Sequence, residues 1–388
     1  MKTWLEILLV SLRLGFTSFG GPVAHLAYFK EEYINRRKWL NEKSYADLIA
    51  LCQFLPGPAS SQVGIAIGMI RGGIIGGIIS WFGFTMPSVL ALVLFAYVLS
   101  GEMVELSSWI HGLKLVAVAV VAHAIFGMGK KLTPDRTRQT IAIVATISVF
   151  LVPTAAGQLA IILAAAIVGY ILYNKNDVPE VPDLPIRISK RVGVMAWGLF
   201  AGLLIVLPIV RNGVDSLFIA MFDTFYRVGS LVFGGGHVVL PMIEREVVPV
   251  GWITEEAFLA GYGAAQAVPG PLFTLSSYLG MYIGGGMGAV VATIAMFLPS
   301  FLLLIGTLPF WNIIRRKKSV QAALIGVNAA VVGILIAAFY DPVFTSAVKS
   351  TTDFAIALGA FSLLQFWKKP AWLVVLITVI GTVIVELF

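Results

Sequence analysis

The chain has 388 residues, of which 59% are hydrophobic and 12% charged, about half the charged share of a soluble domain, and its mean hydropathy is +0.92. A soluble fold of this length cannot hide so much apolar side chain, because more than half of a globular surface is already apolar. The composition therefore excludes a cytosolic enzyme, a nucleic-acid-binding domain and a disordered protein, and it predicts an all-α polytopic membrane protein whose net charge of +7 sits in basic cytoplasmic loops.

In chain order, residues 4–36 break at Gly20-Gly21-Pro22, and residues 44–71 break at Pro56-Gly57-Pro58. Each half of these segments is too short to cross a bilayer at 1.5 Å per residue. Both read as re-entrant helical hairpins with tips inside the membrane, where irregular backbone is tolerated if it is buried in protein or lines a wet cavity. Crossings are expected at roughly 73–100 and 109–128, and two shorter ones within 140–174, split at Pro153. The stretch from Asn174 to Arg191, with Pro179, Pro182 and Pro185, has soluble composition and reads as a linker. A crossing at 192–211 follows. Two further re-entrant hairpins are expected at 216–248, breaking at Gly234-Gly235-Gly236, and at 257–285, breaking at Pro269-Gly270-Pro271. Crossings at 287–310 and 320–340 come next, then two within 354–387 split at Lys368-Lys369-Pro370.

The breaks pair up. The segment from Arg13 to Gly21 aligns with that from Arg227 to Gly235, with five of nine positions identical. Trp39, Glu42, Gln53 and Pro56-Gly57-Pro58 align with Trp252, Glu255, Gln266 and Pro269-Gly270-Pro271. Gly68, Gly72, Gly73 and Gly76 align with Gly280, Gly284, Gly285 and Gly288, and Pro87-Ser88 with Pro299-Ser300. The chain is a duplicated unit: a first repeat over 1–174, a cytoplasmic linker over 175–191, an extra crossing over 192–211 and a second repeat over 212–388.

Basic residues orient the copies. With the N-terminus in the cytoplasm, the inner side collects Lys30, Arg36, Arg37, Lys38 and Lys43, the Lys130–Arg138 and Lys175–Arg191 loops, Arg315 to Lys318, and Lys368 and Lys369. The outer side holds Arg211, Arg245 and Lys349. The basic loop after the first hairpin is inside and its repeat counterpart is outside, so the repeats are antiparallel, with the C-terminus outside. Inverted-topology repeats with broken helices at the midplane are the mark of secondary transporters.

Arg13 and Arg227 are the first candidate site residues. A charge at bilayer depth costs about 2.5–3.5 kcal/mol and reads as functional by default. The guanidinium is always protonated and offers a planar fork of donors to an oxyanion. The structural alternative is an ion pair or snorkelling, stronger for Arg227 because Asp223 lies at i−4; Arg13 has no acid at that spacing. The tips are second. Gly20, Gly21, Gly234, Gly235, Gly57 and Gly270 stand where one helix ends and another opens, and a helix N-terminus is an anion site. Gln53 and Gln266 precede the Pro-Gly-Pro tips, and Ser60, Ser61 and Thr274 follow them as neutral donors, with interhelical packing as the alternative. His25 and His237 follow the Gly-rich tips and are the candidates for proton coupling, although a lone His is more often structural. Lys114 reads as snorkelling, Asn328 as a weak pocket candidate, and Glu42 and Glu255 as helix caps. Cys52 is the one cysteine, which excludes an internal disulfide and Cys-based metal sites. The four histidines lack metal-ligand spacing, no nucleotide-binding motif occurs, and no cleavable signal is evident. No cofactor and no metal are expected.

Two copies of Arg-x-Gly-x-x-x-Phe-Gly-Gly, each followed by Gln-x-x-Pro-Gly-Pro, resemble the chromate transporter family in its long-chain, two-domain form. The resemblance covers essentially the whole chain and implies a plasma-membrane protein of antiparallel homologous halves that exports chromate, with sulfate as its analogue. In the first half Arg13, Phe19 to Pro22 and Gln53 to Pro58 match the family pattern. In the second, Gly236 replaces the proline and His237 has no partner at the same spacing. The expected partners are thus an inorganic oxyanion and the lipid bilayer, with no nucleic acid; a homodimer is compatible with the sequence. The rival readings are an anion channel and a membrane enzyme of the polyprenyl-diphosphate phosphatase type. The latter needs a nucleophile beside a base, and the tips offer Ser60 and Ser61 with no acid in the same loop.

Overall fold

A computed structural model describes residues 2–18, 21–100, 107–152, 154–174, 188–232, 239–314 and 317–386, and these contain helices and no strand. The elements are α1 (Lys2–Thr17), α2 (Gly21–Phe29) running into a π-helical turn at Lys30–Arg36, α3 (Glu42–Phe54), α4 (Ala59–Ser100), α5 (Ser107–Leu132), α6 (Arg136–Leu151), α7 (Ala155–Tyr173), α8 (Lys190–Gly213) and α9 (Leu217–Leu231). They continue as α10 (Val239–Val247), α11 (Glu255–Ala267), a 3₁₀ turn at Leu272–Thr274, α12 (Leu275–Thr307), α13 (Trp311–Ile314), α14 (Lys318–Ala338), α15 (Thr345–Ala347), α16 (Thr351–Gln365) and α17 (Ala371–Glu386).

Local chemistry sets the helix starts. Asn41, Asp135, Thr154, Ser189, Thr254 and Ser350 stand in extended conformation before α3, α6, α7, α8, α11 and α16, and each side chain accepts from a first-turn backbone amide. Those amides have no partner inside the helix, so the cap removes an orphan donor. Asn41 and Thr254 hold repeat-equivalent positions. They are the caps of α3 and α11, which corrects the reading of Glu42 and Glu255 in that role; the two glutamates lie in the first helical turn.

Five helices have the length and apolarity of membrane crossings: Ala59–Leu99, His111–Lys130, Lys190–Gly213, Leu272–Phe310 and Lys318–Asp341. The chain is a multi-pass membrane protein. Two of the five are not straight rods. Gly73 has φ +68° and Gly285 φ +63°, each after a glycine with non-helical angles. In a straight helix residues sixteen apart lie about 24 Å from each other, yet the Ser80 hydroxyl donates to the Gly64 carbonyl at 2.9 Å. α4 therefore folds back on itself as two antiparallel arms, 59–71 and 74–100. α12 does the same, because a Cβ on Gly280 would collide with the Gly288 carbonyl, as one on Gly68 would with Gly76. The expected hairpin breaks at Gly20-Gly21-Pro22, Pro56-Gly57-Pro58 and Pro269-Gly270-Pro271 coincide with helix ends. Gly234-Gly235-Gly236, Pro153 and the linker prolines Pro179, Pro182 and Pro185 lie outside the described residues.

The chain forms two compact units, and each takes segments from both sequence repeats. The first comprises Met1–Ala91, Lys175–Gly236 and Pro269–Gln321. Here α9 packs on α12 at Gly229, where a Cβ would meet the Met296 carbonyl, and α1 packs on the 74–100 arm at Gly15, where a Cβ would lie 2.7 Å from the Gly83 carbonyl. α8 buries Gly193, Ala196 and Phe200 on one face. Val194, Met195, Leu199, Ile205 and Ile209 on its other faces are exposed, as a lipid-facing helix requires.

The second unit comprises Leu92–Asn174, His237–Val268 and Ala322–Phe388. Its core joins Leu113, Val116, Ala119 and Val120 of α5 to Ala260 of α11, Ala360 and Leu364 of α16, and Val374, Val375 and Val379 of α17. His111 Nε2 meets Asp353 Oδ1 at 2.8 Å, and His123 Nδ1 meets Gln365 Oε1 at 2.8 Å. Both contacts span the same sequence separation, so α5 and α16 run in the same direction.

Candidate functional site

Two broken-helix tips meet in the first compact unit. Gly57 has φ +117° and Gly270 φ +105°, the left-handed region in which a Cβ is strained. The Gly57 amide donates to the Val232 carbonyl at 2.6 Å, and the Gly270 amide to the Ser18 carbonyl at 2.9 Å. Gly57 is the repeat counterpart of Gly270, and Ser18 of Val232, so each tip is tied to the other repeat's glycine-rich break. A second exchange accompanies the first. Gln62 Nε2 donates to the Pro56 carbonyl at 2.7 Å and reaches Ser300 Oγ at 3.4 Å, while Ser88 Oγ meets Thr274 Oγ1 at 2.6 Å. These partners too are related by the repeat.

The side chains around the two tips differ in what they have left to offer. Thr274, Ser276 and Ser277, beyond the second tip, donate their hydroxyl protons to the Pro271, Phe273 and Thr274 carbonyls at 2.6, 2.9 and 2.7 Å. Since a hydroxyl has one proton, Thr274 accepts from Ser88. Around the first tip the opposite holds. The Ser18, Ser61 and Thr85 hydroxyls are buried without a hydrogen-bond partner, and so are His25 Nε2 and Gln62 Oε1. His25 is buried, its Nδ1 lies 3.2 Å from Ser60 Oγ, and its ring packs edge-on against Phe84 at 5.3 Å. A hydroxyl beside an imidazole is half of a nucleophilic constellation, but among the described residues no carboxylate orients this imidazole. The tip amides of Gly57 and Gly270 are occupied. The Ala59, Ser60 and Ser61 amides open α4, and such first-turn donors have no partner within a helix.

Both arginines stand beside acids. Arg227 meets Asp223 at 3.1 Å, and Arg211 meets the same carboxylate at 3.1 Å. Asp223 is 1% exposed. Arg13, whose side chain is 60% exposed, has Glu32 at 3.9 Å, and Glu32 is also held by Arg36 at 3.6 Å and Arg37 at 2.8 Å. Glu32 does not stand at the i−4 spacing from Arg13; it lies on the π-helical turn nineteen residues on. Glu246 lies nineteen residues after Arg227, and that recurrence was the sequence signal.

Gly21 opens α2, and Gln53 lies in the last turn of α3. Gln266, in the last turn of α11 and hence in the second unit, is buried with Nε2 unpartnered. Phe19, Gly20, Gly234, Gly235 and His237 lie outside the described residues. Asn328 is half-buried on α14 in the second unit. Lys114 does not snorkel: it is 8% exposed on α5, with Glu256 at 4.0 Å. No group of metal-ligating side chains occurs among the described residues.

The chromate transporter family model matches the chain twice, over residues 5–170 and 219–383. The chain is 26% identical to a chromate transport protein of Pseudomonas aeruginosa, over 95% of this chain and 89% of that one. It is 26% identical to an uncharacterized transporter of Methanocaldococcus jannaschii, over 86% of this chain and 83% of that one. A second uncharacterized transporter, from Bacillus subtilis, is 27% identical; 97% of it matches 43% of this chain, so the relative is about one repeat long. No solved structure matches.

Proposed function

The chain belongs to the chromate transporter family, and from that premise we propose that it is a secondary transporter of a tetrahedral inorganic oxyanion, chromate with sulfate as its analogue, exporting it across the plasma membrane. Arg13, joined by Arg227, supplies the positive charge that draws the dianion in. The N-terminal amides that follow Gly20-Gly21 and the Pro-Gly-Pro breaks, together with Gln53, Ser60 and Ser61, supply polar contacts. The observation that carries this reading is the exchanged seam, in which Gly57 holds Val232 and Gly270 holds Ser18. A centre assembled from both repeats, at broken helices, is where secondary transporters built from inverted repeats place their substrate site.

The same-direction pairing of α5 with α16 supports inverted repeats, since with the N-terminus in the cytoplasm both helices run inward. It supports equally the re-entrant reading of the four hairpins and a C-terminus outside. The double family match and the half-length relative support duplication as the origin of the two halves. His25 and His237 remain the candidates for coupling to a proton, and a homodimer is the assembly to test.

The test is counterflow in proteoliposomes. A carrier preloaded with unlabelled sulfate accumulates radiolabelled chromate transiently above equilibrium. A channel equilibrates without overshoot, and that result would remove the carrier mechanism.

A further inference from the structure

Burying a hydroxyl or an imidazole N–H without an acceptor costs a large part of a hydrogen bond, and here several such groups share one locus. Ser18 and Thr85 are 0% exposed and Ser61 2%, and the hydroxyl of each has no partner. Short contacts connect them. The Ser18 carbonyl holds Gly270, whose Cα faces the Phe84 carbonyl and Ser88. Phe84 packs on the His25 ring, and His25 touches Ser60, the neighbour of Ser61. Thr85 stands one helical turn before Ser88, on the face that Ser88 turns to the second tip.

The other repeat fills the equivalent positions without donors. The reciprocal pairs Gln62–Ser300 and Ser88–Thr274 fix the register, and the counterparts of Ser18, Ser61 and Thr85 are Val232, Phe273 and Phe297, all buried. The same packing position is filled by an apolar side chain in one half and by an unspent hydroxyl in the other.

We propose that the dehydrated oxyanion is held by neutral donors of the first half alone: the Ser18, Ser61 and Thr85 hydroxyls. Arg13, far more exposed, meets the ion while it is hydrated. The inference rests on the oxyanion reading above and names the residues of that site.

The test uses full-length protein with Ser18→Ala, Ser61→Ala and Thr85→Val, read by chromate KM in proteoliposomes and by the rise in Tm that sulfate produces in detergent. Losing one hydrogen bond to a charged ligand raises KM about tenfold or more. All three substitutions are expected to do so and to erase the sulfate-induced rise, since ligand stabilises the state that binds it. They are expected to leave ligand-free Tm unchanged or higher, because an unpaired buried group has been removed. If wild type carries chromate while all three hydroxyl variants keep its KM, the inference is overturned. It is also overturned if ligand-free Tm falls in each, because the hydroxyls then serve the fold. A wild type that moves neither dianion counts instead against the oxyanion reading itself.

Discussion

The two repeats share their backbone devices and differ in their side-chain chemistry. Each has a Pro-Gly-Pro tip with a left-handed glycine, a second glycine turn at Gly73 or Gly285, and a serine after a helical proline that reaches across to the other repeat's tip. Where the first repeat places Ser18, Ser61 and Thr85, the second places Val232, Phe273 and Phe297. The hydroxyls just beyond its tip, Thr274, Ser276 and Ser277, are tied to their own backbone. The arginines diverge in the same way: Arg227 shares a buried carboxylate with Arg211, whereas Arg13 has an acid at 3.9 Å that two other arginines also hold. The two copies thus share a frame and set different side chains on it around the first tip.

The sharpest check of the shared frame is at the tips. Gly57→Val and Gly270→Val each force a β-branched residue into positive φ, and a Cβ would lie 2.7 Å from Ser300 Oγ in one case and 3.1 Å from Ser88 Cβ in the other. Strain of about 1–3 kcal/mol adds to the clash. Both variants are expected to lose folded yield and flux to a similar degree; a tolerated Gly270→Val beside a lethal Gly57→Val would break the equivalence.

The arginines are expected to separate. Arg13→Ala lowers kcat/KM for chromate about tenfold or more while Tm holds. Arg227→Ala lowers Tm, because Asp223 loses one of its two cationic partners and a buried carboxylate short of partners costs about 1–3 kcal/mol. Equal kinetic losses with equal stability would erase the distinction. In the second unit, Asp353→Asn weakens the link from His111 and is expected to cost about 1–2 kcal/mol, read as a lower denaturation midpoint.

The smallest effects are at the equivalent caps of α6 and α16. Ser350→Ala costs about 1 kcal/mol. Asp135→Ala costs less, and its effect depends on pH. The Arg138 backbone amide, and then its side chain, hold the Asp135 carboxyl below the usual range. A carboxyl depressed in the folded state stabilises at neutral pH, and that contribution disappears as pH falls through its folded value. Wild type and Asp135→Ala should therefore converge in Tm in acid below the ordinary Asp range, and Ser350→Ala should not converge with wild type there.

Much of the frame was legible because bilayer thickness, glycine and proline act locally. The crossings, three of the four helix breaks and the duplicated register can all be read from runs of apolar residues and their punctuation. The fold-back at Gly72-Gly73 was legible as a crossing that begins there, but not as a hydrogen bond from Ser80 to Gly64. What sequence could not reveal depends on which distant segments meet. The exchange of Gly57 and Gly270 between repeats leaves no mark on spacing. Ser18 and Thr85 look like incidental hydroxyls in apolar runs until their burial and missing partners are seen. Lys114 reads as snorkelling when α5 is taken alone; Glu256 of α11, which stands beside it, is 142 residues away in sequence.

The central claim is that this chain carries a dianionic oxyanion through a site whose charge comes from Arg13. Radiolabelled chromate flux into proteoliposomes, with wild type and Arg13→Ala reconstituted at equal folded amounts and sulfate as competitor, tests it directly. The account predicts saturable flux in wild type that sulfate suppresses and that Arg13→Ala lowers about tenfold or more. Wild-type flux of neither dianion, or flux unchanged in Arg13→Ala, would contradict it.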